Sequence, residues 1–402
     1  MHVSLDSALG RQRRLNSVGE SVLQIAPNAA AAYSLRSLTG GDPQVVRVRR
    51  VIDNAESDFT AAGISSGALV NFVNQIQTLG TAVNGTGSFD NYTVSNLSNT
   101  GFSADNSAGG TGSAGFPYVF KDDDVLVVKY TVTNFSSTSS LSPALRGVNS
   151  VNSVTGKTNS GTVFTANGTY TDTLTATADG THLMFADGNT GSYTISDFEI
   201  VSHSSSGFVE TWYDQSGNSK DAVQETAGSQ PKIVNSGSLV TLNSVPALSF
   251  DGSSDLFNVT GFAFSPSGDF LAVTVSKIST GNLIDTRDGG SDGFFLQQGS
   301  ADFRHRYNGD GSINVSGNDQ HIVATSELNG TTLTAYKNSS SSGTDTVTAG
   351  LSTTQAITIG RTSFTNGNFT AGSVQEIILY DTDKSANRAA LETNINSHYS
   401  IF

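Results

Sequence analysis

The stretch GFVETWYDQSGNSKDAVQ, Gly207–Gln224, holds the chain's only tryptophan together with Glu210, Asp214, Asp221 and a glycine turn. Alternation along FVETWY sends Phe208, Glu210 and Trp212 to one strand face and Val209, Thr211 and Tyr213 to the other, so one face should pack in a core. Asp214 then opens a turn in which its carboxylate can accept backbone N–H groups, and Gly217-Asn218 permit the reversal. Trp212, Tyr213, Asp214 and Gly217 therefore read as a structural motif, a strand and its corner, with Asp214 expected to pair with Arg47 or Arg49.

The rest of the chain agrees with a strand-and-turn protein. Among 402 residues there are 42 glycines, 36% hydrophobic residues and only 14% charged ones, and Ser, Thr and Asn are abundant. That composition suits short β-branched strands joined by many turns, over a length that allows two or three domains. With no cysteine, neither a disulfide nor a thiolate metal site can brace the fold. No apolar run follows Met1 as in an export signal, and none reaches the length of a membrane span, so a soluble, unexported protein is expected. Asn91, Asn167 and Asn329 each begin an Asn-x-Ser/Thr triplet, which this composition generates by chance.

Charge is unevenly placed. Residues 1–50 contain Arg11, Arg13, Arg14, Arg36, Arg47, Arg49 and Arg50 against Asp6, Glu20 and Asp42, a balance of +4 that leaves −18 of the total −14 on the remainder. A basic end on an acidic body either docks onto an acidic partner or pairs with the protein's own surface, and both readings stay open. Nucleic acid is not an expected partner, because no aromatic-interleaved basic surface accompanies the arginines.

Along the chain, NAAAAYSLRSLTGGDP reads as an alanine-rich helix stopped by Gly40, Gly41 and Pro43. QVVRVRRVID alternates as a half-exposed strand, with Val46 and Val48 on one face and Arg47 and Arg49 on the other. SSGALVNFVNQIQTL spaces Leu69, Phe72, Val73 and Ile76 as an amphipathic helix. From about Asn84 to Val201 the texture becomes pure strand and turn, as in an antiparallel sandwich. Asp122–Asp124 within it could bind calcium, but successive strand side chains diverge, so a solvated turn is the expectation. A second all-β region follows, with a hairpin turning at Asn329-Gly330, and the chain closes on a helix capped by Ser385 with Leu391 and Ile395 inward.

Several blocks carry a family resemblance. AAAAYSLRSL, VVRVRR, DNAESDF, FVETWYDQSGNSKDAVQ, QPKIVNSG and PALSFDG resemble the catalytic domain of fungal-type α-L-arabinofuranosidases and, equally, bacteriophage structural proteins of tail or head appendages. Residues 250–402 are similar to laminin-G-like, concanavalin A-like lectin domains, through VQEIILYD and NRAALETNINSHYSIF in particular. The resemblance implies a mainly β fold: a concanavalin A-like (laminin-G-like) β-sandwich split between residues 29–83 and 207–402, an inserted jelly-roll β-sandwich over 84–206, and a short, partly helical N-terminal arm over 1–28. It further implies a virion protein, a tail or head fibre or capsid decoration, assembled in the host cytoplasm. Its arm would attach to other virion proteins through Arg11, Arg13 and Arg14, and its sandwiches would adhere to a host-surface glycan. Such appendages are commonly homo-oligomers, often trimers.

The alternative is an arabinofuranosidase-like glycosidase, which needs two carboxyl groups across the scissile bond. Glu210, Asp214, Asp221, Asp251 and Asp255 are the candidates, and none lies in a context that matches the family's nucleophile or acid; catalytic residues are therefore not assigned. Asp251 and Asp255 in SFDGSSDLF could hold calcium or a sugar, although an Asp-Gly β-turn suffices for them. Arg304, His305, Arg306 and Tyr307 in FRHRYNG are the candidate carbohydrate-binding residues, as a polar groove for a glycan or an acidic sugar, with a solvated strand face as the competing reading. No His, Asp and Glu cluster has metal-ligand spacing, and no cofactor is expected.

Overall fold

The computed structural model describes residues 19–86, 90–107, 109–137, 144–148, 161–187, 191–263, 268–287, 293–307, 311–348 and 356–402. Arg11, Arg13 and Arg14 lie outside the described residues. What is described is mainly β, with antiparallel pairing throughout.

Three cores organise it. The largest gathers side chains from both ends of the chain, among them Ala31, Val48, Val209, Trp212, Phe257 and Ile377. Its central strand, Phe270–Asp285, pairs with Ile322–Asn329 on one side and with Ala371–Tyr380 on the other. The Ala371–Tyr380 strand in turn pairs with Ala31–Ser34 and Leu248–Asp251. Period-two alternation divides the continuous apolar runs FLAVTV and EIILY between two cores. Ala272, Ile377 and Leu379 face the first, whereas Leu271, Val273, Ile378 and Tyr380 face a second core under the C-terminal helix Ser385–Tyr399. Leu391 and Ile395 fill that second core from the helix, as their spacing predicts. The cap differs from expectation: Ser385 is the first helical residue, and the Asp383 carboxylate accepts its N–H at 2.8 Å.

The third core belongs to residues 82–200 alone. Strands Thr93–Ser95, Phe102–Asp105, Gly191–Ser204, Val125–Ser137 and Gly168–Thr175 form one sheet, and Val83–Asn84, Gly112–Phe120, Gly180–Asp187 and Ala144–Val148 form another. Aromatic rings fill the space enclosed by these strands, with Phe116 and Phe198 stacked at 4.1 Å. Both ends of this excursion meet at one side chain. Asn74, just past the short helix Ala68–Val73, accepts the Ser205 N–H at 3.0 Å and donates to the Gly237 carbonyl at 3.0 Å.

Two expectations fail for tertiary reasons. Ala31–Ser34 is a strand, not a helix, and every one of its residues is buried. It lies between two cores, with Ala31 and Tyr33 in the first and Ala32 in the second, and its ladder to Glu376–Leu379 outweighs the helix propensity of alanine. The helix after Gly67 stops at Val73, which leaves Ile76 outside it and exposed. The short Val22–Ile25 helix is the one element described in the expected arm, and its Val22 packs into the core beneath the C-terminal helix.

Candidate functional site

The motif around Trp212 is a clasp. Trp212 is fully buried, with its ring centroid 5.6 Å from Tyr33 and 6.2 Å from Phe257. It shares the interior with Val209 and not a face with Phe208 and Glu210, because the pairing of Gly207–Trp212 with Gln44–Arg50 slips between Val209 and Thr211. That one-residue bulge inverts the alternation beyond Glu210. Asp214 is caged: Oδ1 accepts the N–H groups of Ala32 and Ser216, each at 2.9 Å, and Oδ2 accepts the Ser216 hydroxyl at 2.7 Å and the Lys220 N–H at 3.0 Å. It pairs with neither expected arginine. Arg47 bonds Asp58 at 2.8 Å beside the Tyr213 hydroxyl at 2.7 Å, and Arg49 turns away to neutral partners.

Gln215 and Asn218 extend the clasp. The Gln215 amide donates to the Ser34 and Arg36 carbonyls at 3.1 and 3.0 Å and accepts the Leu38 N–H at 2.8 Å, while Asn218 donates to the Ala29 carbonyl at 2.9 Å. Gly217 holds φ at +89°, a left-handed turn that a side chain resists. Asp221 accepts the Asp214 N–H at 2.9 Å, so it too is structural.

The four residues expected to bind sugar do not form one groove. They lie on the Asp302–Tyr307 strand, whose alternation buries His305 and Tyr307 completely and leaves Arg304 and Arg306 half-buried on the opposite face. His305 bonds Ser326 inside the core, and burial pulls its pKa down to about 3, so it is neutral and sealed from any ligand.

The Asp122–Asp124 turn is likewise only partly solvated. Asp124 is buried, accepts the Lys121 N–H at 2.7 Å and lies 2.8 Å from His203 Nε2, whose Nδ1 meets the Tyr118 hydroxyl at 2.9 Å. This chain of polar groups sits beside the junction, where the Ser236 hydroxyl donates to the Asp123 carbonyl at 3.3 Å. Among the described residues, no group of three or more His, Asp or Glu side chains could hold a metal ion.

The residues that do gather at an opening come from four separate stretches. A cleft of about 720 Å³ is lined by Arg49, Phe208, Gln230, Lys232, Asp251 and Asp255 among others. The bulged strand presents Phe208 outward, and the neighbouring Lys232–Asn235 strand sets Lys232 beside it. The Arg49 guanidinium lies 5.3 Å and the Lys232 ammonium 5.6 Å from the centre of the Phe208 ring.

The two carboxyls of the cleft differ sharply. Asp251 ends the strand Leu248–Asp251 and turns the chain: Oδ1 accepts the N–H groups of Ser253, Ser254 and Asp255 at 2.8, 2.8 and 3.0 Å, and Oδ2 accepts the Ser253 and Ser254 hydroxyls at 2.5 and 2.9 Å. Burial opposes its ionisation, but the Ser253 hydroxyl and these backbone donors prevail and hold its pKa well below the usual carboxylate range. Asp255 is 8% exposed and accepts a hydrogen bond from the Asp251 N–H at 2.9 Å. Burial first, and the Asp251 charge second, push its pKa up to about 7, against the weaker pull of that N–H and of Lys232. The Asp-Gly turn expected at Asp251 is thus present, and Asp255 is the titratable group left facing the cleft. The spacing of the two acids was visible in the sequence, but the cations and the ring arrive only through the sheet.

No family model matches the chain, and no curated protein matches it. Among solved structures it is similar to the crystal structure of a mutant of HCR/D, with 12% identity and a TM-score of 0.29, over 44% of this chain and 50% of that one. A likeness that weak defines neither a shared fold nor a shared activity.

Proposed function

We propose that this chain is a bacteriophage virion protein, a fibre or decoration component, that adheres to a host-surface glycan through the cleft between Phe208 and Asp255. The concanavalin A-like form of residues 29–83 plus 207–402, the jelly-roll form of 84–206 and attachment through Arg11, Arg13 and Arg14 belong to the same proposal. One observation carries the adhesive part: the cleft offers an aromatic face, two cations, an amide and an unlocked carboxyl together, the mixture that orients a polyhydroxylated ligand. Glycan-array binding by the intact chain, lost in Phe208→Ala, is the expected result. Silence of the array across bacterial surface polysaccharides would overturn adhesion, and absence of the chain from purified particles would overturn the virion role.

Hydrolysis is the second reading, favoured by a protonatable Asp255 next to an ionised Asp251. The locking of Asp251 speaks against it. With both oxygens taken by its own turn, Asp251 is not free to attack a sugar or activate water, and a paired-carboxylate mechanism lacks its second member. Turnover of aryl arabinofuranosides that disappears in Asp255→Asn would reverse that judgement.

A further inference from the structure

We infer that the cleft is built for a carboxylate-bearing sugar, a hexuronate or a sialate, whose acid group seats against Arg49 and Lys232 while its hydroxyls reach Asp255. This rests on the adhesive reading above and narrows its ligand. The observation behind it is an arginine without a counter-ion. Arg49 is 7% exposed, yet its three nitrogens donate to neutral acceptors: Nε to the Gln230 amide oxygen at 2.8 Å, one terminal nitrogen to Asn54 at 3.0 Å and the other to the Ala227 carbonyl at 3.2 Å. A guanidinium has five N–H donors, so two stay available. Glu56, paired opposite Arg49 on the next strand, acts on it electrostatically but makes no ion pair with it among the described residues.

Four other part-buried arginines show the contrast. Arg36, Arg50, Arg287 and Arg388 have side chains 15%, 13%, 16% and 18% exposed, and each holds a carboxylate: Glu376, Asp53, Asp285 and Glu392. Burying a cation without such a partner is costly, and burial accordingly lowers the Arg49 pKa. Lys232, paired opposite Phe208, also bonds only a neutral group among the described residues, the Asn235 amide oxygen at 3.0 Å. With Asp255 protonated, Arg49 and Lys232 outnumber the ionised Asp251 by one charge at this cleft, which leaves room for an anion. A neutral sugar would need neither. The Phe208 ring between them gives the sugar an apolar face, and Asp255 across the cleft gives its hydroxyls a partner.

Asp255 makes binding pH-dependent. Asp255 is faced by Asp251, Lys232 and Arg49, and it passes from neutral acid to anion as pH rises through about 7. An anionic Asp255 repels a carboxylate ligand, so affinity falls from pH 6 to pH 8.

The test is calorimetry on the full chain with a panel of uronate- and sialate-bearing oligosaccharides, each paired with its own methyl ester, and with matched neutral oligosaccharides. At least one acid should bind, with its ester weaker by on the order of tenfold, as for loss of a charge-assisted bond. Lys232→Gln, at a half-buried side chain, should weaken the acid by roughly the same factor and the ester by much less, so that the gap between acid and ester narrows. Esters that bind as well as the acids, or neutral members alone binding in a manner that Phe208→Ala abolishes, would overturn the acidic class and leave adhesion standing. No binding by any acid, ester or neutral member would overturn both.

Discussion

Replacing Asp255 by Asn should stabilise the protein, and more at alkaline than at acid pH. The folded chain holds this carboxyl at about 7 against an ordinary value of 3.8. For a group whose folded pKa is raised, the unfolded chain loses its proton first, so stability falls as pH climbs from 3.8 and levels off above about 7. At 1.36 kcal/mol per unit, the destabilisation is about 2 kcal/mol at pH 5 and about 4 kcal/mol at pH 8. Asn cannot ionise, and its side-chain oxygen can still accept the Asp251 N–H that Asp255 accepts at 2.9 Å. Urea unfolding of both forms, followed at pH 5 and pH 8, should therefore show a gain for Asp255→Asn that grows, before rounding, by about 3 kcal/mol between the two. An equal gain at both pH values, or a loss at pH 8, would refute the assignment of Asp255 as the buried, titrating acid.

Asp214→Ala removes four hydrogen bonds, one that ties the corner to Ala32 and three that close its own turn at Ser216 and Lys220, and should cost about 3–5 kcal/mol in denaturant unfolding. Arg47→Gln, remote from that cage and pairing with Asp58, should cost under about 1 kcal/mol; equal losses in the two would sink the cage. His203→Phe strands Asp124 as an unpaired buried acid and should lower the thermal midpoint, by the equivalent of about 3–5 kcal/mol, while an unchanged midpoint would show that the Tyr118–His203–Asp124 chain contributes nothing.

What was readable in the sequence was local. Asp214 caps groups two and six residues ahead, and Asp251 caps those two to four ahead, so both turns follow from spacing alone. The alternation of Val46 and Val48 and the doubly apolar runs FLAVTV and EIILY likewise predict their strands. What failed depended on partners far along the chain. Ala31–Ser34 becomes a strand because residues 376–379 lie beside it, and Trp212 turns inward because of a bulge against residues 46–48. His305 looked like a ligand-facing residue since strand alternation fixes only which residues share a face, not which face is wet. The cleft was invisible for the same reason: Arg49, Phe208, Lys232 and Asp255 are neighbours only after the sheet assembles.

Asn74 has a consequence of another kind. Because one carboxamide grips both the returning chain at Ser205 and the loop at Gly237, the whole excursion between 75 and 204 hangs from a socket of fixed width. The buried apolar residues described within it make up a core that shares no member with the other two. A segment of other sequence put in its place would have to bring its ends to Asn74 and replace the contact that Asp123 makes with Ser236.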